Sequence, residues 1–276
     1  MTALTRRQFL EAAGLAAAAP ALDAAAGQGP TSVASVAVEK DVVFGKGGAM
    51  DLRCDLYRPQ AGTSKRAATI HVHGGGFTGG SKETLTERIR PFAANGYLAI
   101  ATQYRLLGQA PWPGMLHDVK AAIRWTRTNA NRLGIDPDRI FIVGDSAGGH
   151  LALTTNGTQN NPEFEGTGGN AGAGTQVAAC VAYYPVVDGG PPASMSPATY
   201  VTANVSPTVL FHGVADTTVP IESSQAFFQL LRDKKVTSEF HSFAGQPHIF
   251  DREPPFAVAC AQLADLFIER NTKPKT

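Results

Sequence analysis

Ile140-Phe141-Ile142-Val143-Gly144-Asp145-Ser146-Ala147-Gly148-Gly149-His150-Leu151 is the stretch that decides the fold. Four apolar residues, mostly β-branched or aromatic, read as a short buried strand. A serine between closely spaced glycines follows at once, and a helix begins at that turn. The pattern is G-x-S-x-G. A side chain thrown up on so tight a turn sits in strained backbone geometry, so its neighbours must be very small. The helix N-terminus behind it aims N–H groups and the positive end of a dipole at developing negative charge. The alternative is a glycine-rich turn without chemistry. The strand–turn–helix context argues against it.

Outward from this turn the chain alternates strands and helices. Upstream, Val36–Phe44 and Met50–Tyr57 alternate in polarity around Gly45-Lys46-Gly47-Gly48 and predict a β-hairpin. Thr69–His73 and Tyr97–Thr102 read as strands, with a helix over Glu83–Asn95 between them. Met115–Leu133 carries Leu116, Val119, Ile123 and Leu133 at helical spacing, and Gly134 stops it. Downstream, Val177–Tyr184, Thr208–Phe211 and Thr237–Phe243 read as strands, and Ile221–Lys234 and Phe256–Arg270 as helices. A hairpin followed by repeated strand–helix units implies one α/β domain, residues 36–272, with a largely parallel sheet. Glu165–Thr175, rich in Gly, Thr and Asn, reads as a mobile surface loop.

Two further groups fall at strand ends. His73-Gly74-Gly75-Gly76-Phe77 follows the Thr69–His73 strand directly. Consecutive glycines let backbone N–H groups point inward and approach a ligand closely, with His73 bracing the loop. Serine is a weak nucleophile and needs a histidine base, itself oriented by a carboxylate. Asp216 stands beyond the Thr208–Phe211 strand, in His212-Gly213-Val214-Ala215-Asp216, and His248 beyond the last strand, in Gly245-Gln246-Pro247-His248. Both therefore lie at carboxyl ends of strands, where open α/β sheets place their sites. Asp188 is a second candidate acid, but reads as part of the wall of the site. His241 reads as a packing or surface position in its strand, His150 as structural, and Asp145 as stabilising the turn.

With HGGGF, Gln103-Tyr104-Arg105-Leu106, GDSAGGHLA, the HGxxD turn and the late histidine in view, the chain resembles α/β-hydrolase esterases with the HGGG type of loop. It is similar to hormone-sensitive-lipase-like enzymes and, more closely, to small bacterial esterases that include acetyl-xylan and feruloyl esterases. The likeness runs from about residue 36 to 270. It implies an eight-stranded, mostly parallel sheet with helices on both faces. It also implies an oxyanion hole formed by the N–H groups of Gly75, Gly76 and Ala147, and Ser146, His248 and Asp216 as nucleophile, base and acid. Acyl transfer of this kind needs no metal or organic cofactor. Amidase or peptidase activity on the same fold is the alternative, and a binding protein on an inactive hydrolase fold is a more distant one.

A net charge of +1, from 24 Lys and Arg against 23 Asp and Glu, offers no broad basic surface for nucleic acid. No apolar run reaches the roughly 18 residues of a membrane span. Cys54, Cys180 and Cys260 lie in apolar or alternating stretches and read as buried, inert thiols; there is no CxxC and no zinc-like spacing. Residues 1–26 have the order of an export signal. Arg6-Arg7-Gln8-Phe9-Leu10 resembles a twin-arginine motif, an Ala- and Leu-rich middle follows, and Ala24-Ala25-Ala26 offers a cleavage site. Residues 27–35 read as a linker. Between Pro185 and Pro207 the glycines and prolines argue against a helical lid, so little or no cap is expected. The site should be open, favouring acetyl-like acyl groups on small-molecule, carbohydrate or aromatic alcohols. Phe77 and Trp112 are the candidate substrate contacts, and Trp112 reads equally as a packed loop aromatic.

Overall fold

The computed structural model describes residues 36–187 and 195–272. The export signal, the linker and Asp188 lie outside the described residues. Eight strands form one sheet: β1 (Ala37–Gly47), β2 (Met50–Arg58), β3 (Ala68–Val72), β4 (Leu98–Thr102), β5 (Ile140–Asp145), β6 (Ala179–Tyr183), β7 (Thr208–Gly213) and β8 (Ser238–Phe243). Their order is β1-β2-β4-β3-β5-β6-β7-β8. β1 pairs with β2, and β2 with β4, antiparallel; every other pairing is parallel. This is the mostly parallel, eight-stranded sheet that the resemblance implied.

The helices are α1 (Thr86–Ala94), α2 (Gly114–Thr128), α3 (Ala130–Leu133), α4 (Ala147–Gly157), α5 (Pro162–Glu165), α6 (Ile221–Asp233) and α7 (Pro254–Asn271). Successive strand residues point to opposite faces, and both faces are covered. On one, Ile70, Val72, Ile140, Ile142 and Leu210 pack with Val119 and Ile123 of α2, Leu151 of α4 and Leu231 of α6. On the other, Phe141, Val143, Val209 and Phe211 pack with Ile89 and Phe92 of α1 and Cys260, Ala264 and Phe267 of α7. This two-sided burial makes the central strands read as continuous apolar runs. No helix among the described residues is long and apolar enough to cross a membrane.

Local departures from expectation have physical causes. The hairpin turn is tighter than the glycines implied, because β1 continues to Gly47. A Cβ at Gly45 would run into the Gly168 carbonyl oxygen, and one at Gly47 into the Arg105 side chain. Those glycines serve close approach rather than the turn. The long helix expected over Met115–Leu133 breaks at Asn129, whose side-chain amide donates 2.8 Å to the Trp125 carbonyl. A 3-10 turn at Lys82–Leu85 precedes α1.

The loop expected to be mobile is tied down instead. Buried Arg124 donates to the Glu165 and Gly169 carbonyls at 2.7 and 3.0 Å, and the Lys46 N–H donates 3.0 Å to Gly168. The wholly buried Lys120 ammonium pairs with the Glu165 carboxylate at 2.9 Å. Composition showed a polar glycine-rich segment, but its anchors sit on α2, some forty residues upstream.

Candidate active site

β5 delivers Ser146 at its carboxyl end and α4 starts on the next residue. Ser146 has φ 53° and ψ −117°, a region that favours glycine. Its N–H donates 2.9 Å to the Tyr183 carbonyl, and its own carbonyl accepts from His150 N–H at 3.0 Å. The flanking glycines are required by contact. A Cβ at Gly144 would collide with the Gly148 backbone, and one at Gly148 with the Val72 and His73 carbonyls.

β7 and β8 bring in the other two groups. His248 Nε2 is 3.1 Å from Ser146 Oγ, and His248 Nδ1 is 2.6 Å from Asp216 Oδ2. The carboxylate accepts only, so Nδ1 carries the proton and Nε2 is left to accept from the serine hydroxyl. Asp216 Oδ1 accepts the Thr218 and Val219 backbone N–H groups at 2.8 and 2.9 Å. Burial pushes the Asp216 pKa up, but the bonds from His248 and the two N–H groups outweigh it, and the carboxyl lies below its ordinary value. A hydroxyl, an imidazole and an ionised carboxylate in this chain can activate the serine for attack on a carbonyl carbon.

His212, the first residue of the HGxxD turn and not marked by its spacing as a site residue, also reaches this carboxylate. Its Nε2 donates to the Val219 carbonyl at 2.9 Å and lies 3.2 Å from Asp216 Oδ2, while its Nδ1 accepts from Ser224 at 2.8 Å. Burial lowers its pKa, so it stays neutral.

Ser146 and His248 open into a cleft of about 570 Å³. Gly74, Gly75 and Gly76 form one side; Val186, Val219, Ile249 and Arg252 are also in its wall. The glycine loop is closed by Gly79 and Thr78 N–H groups donating to the Gly75 carbonyl. His73 braces it, with Nδ1 2.8 Å from the Gly74 carbonyl oxygen and its ring stacked 4.3 Å from that of Tyr104. Ala147 is the first residue of α4, beside the serine.

Phe77 and Trp112 are not among the residues that line this cleft. Both pack against the core, with their rings 5.1 and 6.2 Å from that of His150. The chain turns back after Gly76, and Phe77 itself has φ 64°. His150 is structural: its Nδ1 bonds the Val186 carbonyl at 2.9 Å, and burial lowers its pKa to about 4. His241 stacks on Phe211 at 5.1 Å, away from the cleft. The three cysteines are buried and unpaired, and burial pushes the Cys54 thiol up to about 12.

Asp145 does more than stabilise its turn. It meets Arg88 of α1, which also meets Asp251 and Tyr184. No local pattern in the sequence marks Arg88 or Asp251.

The sheet order and the placement of these groups define an α/β-hydrolase fold. The chain matches the BD-FAE family over residues 54–190 and 191–231, well over half its length. It belongs to that family. Among curated relatives it is 30% identical over 241 residues to esterase LipQ of Mycobacterium tuberculosis, an alignment covering 76% of this chain and 57% of LipQ. The chain thus spans little more than half the length of that relative. Among solved structures, esterase Est2 of Thermogutta terrifontis with propionate bound is 27% identical, covers 90% of this chain and 99% of its own, and has a TM-score of 0.75. A truncated carbohydrate esterase from gut microbiota is 25% identical, covering 86% of this chain and 97% of its own, with a TM-score of 0.75.

Proposed function

We propose that the protein is a serine carboxylesterase that hydrolyses short-acyl, acetyl-like esters, including esters of bulky alcohols such as carbohydrate. The observation that carries this is the continuous chain from Ser146 through His248 to Asp216, opening into a cleft walled by Gly75 and Gly76. Ser146 attacks the ester carbonyl as His248 Nε2 takes its proton. Asp216 holds the imidazole tautomer and stabilises the imidazolium. The N–H groups of Gly75, Gly76 and Ala147 receive the negative charge of the tetrahedral intermediate. His248 then protonates the leaving alcohol, and water repeats the sequence on the acyl-enzyme.

Short acyl groups fit the cover available. Among the described residues between β6 and β7, helical geometry is confined to 3-10 conformation at Met195 and over Pro197–Tyr200. Each CH₂ left uncovered forgoes up to about 0.8 kcal/mol. The bound propionate in the Est2 structure is a short acyl acid, and the gut relative acts on carbohydrate by its name; both support this reading. The Arg6-Arg7 leader supports export to the periplasm or beyond.

The deciding experiment is kcat/KM for p-nitrophenyl esters of C2, C4, C8 and C12 acids, beside acetylated xylan and a matched anilide. Turnover highest at C2 or C4, with the anilide far slower, is expected. A maximum at C8 or above overturns the short-acyl reading, and preference for the anilide overturns the esterase reading in favour of an amidase.

A further inference from the structure

Arg88 sits on α1 with its side chain only 6% exposed. It is surrounded by groups from three distant parts of the chain. Its Nη1 lies 2.6 Å from Asp145 Oδ2 and its Nε 2.8 Å from Asp251 Oδ2. These are ion-pair contacts without hydrogen-bond alignment. Its directed hydrogen bond runs from Nη2 to the Tyr184 hydroxyl, 2.5 Å away. The Tyr184 hydroxyl in turn donates to Asp251 Oδ1. Asp145, Tyr184 and Asp251 are all buried, at 3%, 0% and 1% exposure.

We infer that Arg88 is a positioning residue that holds Ser146, the glycine loop and His248 in register, acting through Asp145 on one side and through Tyr184 and Asp251 on the other. The inference rests on the esterase reading of this site. Asp145 immediately precedes Ser146, so fixing its carboxylate fixes the strained elbow from below. The same carboxylate lies close against the loop, leaving no room for a side chain: a Cβ at Gly74 would stand 2.6 Å from Asp145 Oδ2. On the other side, Asp251 is three residues beyond His248. The residue between them that carries the backbone turn, Ile249, has φ 59° and ψ 24°, a left-handed conformation that a β-branched side chain adopts only when its surroundings hold it there. Pinning Asp251 supplies that hold. Tyr184 completes the arm, with its ring centroid 4.5 Å from that of His248.

Stability alone is a poor reason for such a cluster. A buried guanidinium between carboxylates gives back most of its Coulomb attraction as desolvation, and apolar residues of similar volume often do as well. What an apolar cluster cannot do is draw three backbone segments onto one centre, here by a directed hydrogen bond to Tyr184 and short ion pairs to Asp145 and Asp251. A guanidinium fork can, because its donors diverge in a rigid plane.

The test compares wild type with Arg88→Met, Arg88→Lys, Asp251→Asn and the Arg88→Met/Asp251→Asn pair. For each, kcat and KM on p-nitrophenyl acetate are measured per active site titrated with a serine-directed phosphonate, together with the phosphonylation rate and the Tm. Arg88→Met is expected to lower kcat by about 10²-fold, the scale of an ångström-level misplacement, with KM nearly unchanged. The phosphonylation rate should fall in parallel. Arg88→Lys should recover part of the loss. The double variant should fall little below Arg88→Met, because the two changes break one network. If Arg88→Met does not fold, Asp251→Asn, which keeps the shape, carries the test with an expected loss of about tenfold. Unchanged kcat per titrated site, whatever happens to Tm, overturns the inference. A wild type inert to both ester and phosphonate overturns the esterase reading and takes this one with it, whereas an active wild type with unaffected variants overturns this one alone.

Discussion

His212 Nε2 lies 3.2 Å from Asp216 Oδ2, the oxygen that also accepts the His248 Nδ1–H. Two imidazoles therefore share one carboxylate oxygen. Because His212 is neutral and also donates to the Val219 carbonyl, it steadies the turn that carries Asp216 without competing for its charge. His212→Ala should lower kcat by about tenfold, equivalent to roughly 1.4 kcal/mol of activation free energy, with little change in KM. Steady-state kinetics on a short ester checks this, and His212→Asn, which keeps a donor, should lose less.

Ser146→Ala should abolish ester turnover and leave the far-UV circular dichroism and melting transition intact. His248→Ala should be nearly as severe, and Asp216→Asn should lose about 10⁴-fold in kcat by upsetting the imidazole tautomer. Asp188→Asn should cost far less. If Asp188→Asn proved the more damaging of the two, the acid would have to be reassigned.

Glycine replacements should separate contact from conformation. Gly134 has φ 73°, and a Cβ there would meet nothing within 4 Å, so Gly134→Ala carries only the backbone penalty, on the order of 1 kcal/mol. Gly148→Ala would drive a methyl into the Val72 and His73 carbonyls beneath the elbow. It should cost more, roughly 1–3 kcal/mol or above, and slow turnover as well. Urea denaturation of the two variants, compared at equal slope, gives the ordering.

Acid should unfold this protein early. Burial lowers the pKa of His71 to about 3 and of His150 to about 4, and moves His73, His117 and His212 downward too. A histidine whose folded pKa is depressed binds a proton more readily when unfolded. Stability is therefore unaffected above the unfolded value near pH 6.5 and falls as pH drops toward the folded value, by up to about 1.4 kcal/mol per pH unit for each fully buried group. Melting curves between about pH 7.5 and about pH 4.5 should show Tm falling steadily below about pH 6.5. His150→Gln should flatten part of that fall; a Tm independent of pH across this window would falsify the account.

What was legible in the amino-acid order was whatever depends on neighbours a few residues apart. The run Ile140–Val143 marks a strand buried on both faces, and Gly144 and Gly148 mark a turn too tight for side chains. His73 to Gly76, Asp216 and His248 each follow a strand, so they fall on one edge of the sheet by topology. Three things needed the tertiary structure. His248 meets Ser146 across 102 residues and Asp216 across 32, distances closed only by the order in which β5, β7 and β8 pair. Phe77 and Trp112, candidate substrate contacts by sequence, pack inward against His150. Arg88 reaches Asp145 and Asp251 because α1 lies over the same sheet face that β5 and the loop after β8 present to it. Local backbone chemistry is written in short spacings, since sterics and hydrogen bonds there act over one turn. Side-chain partnerships across a sheet carry no such spacing and are set by which elements the packing brings together.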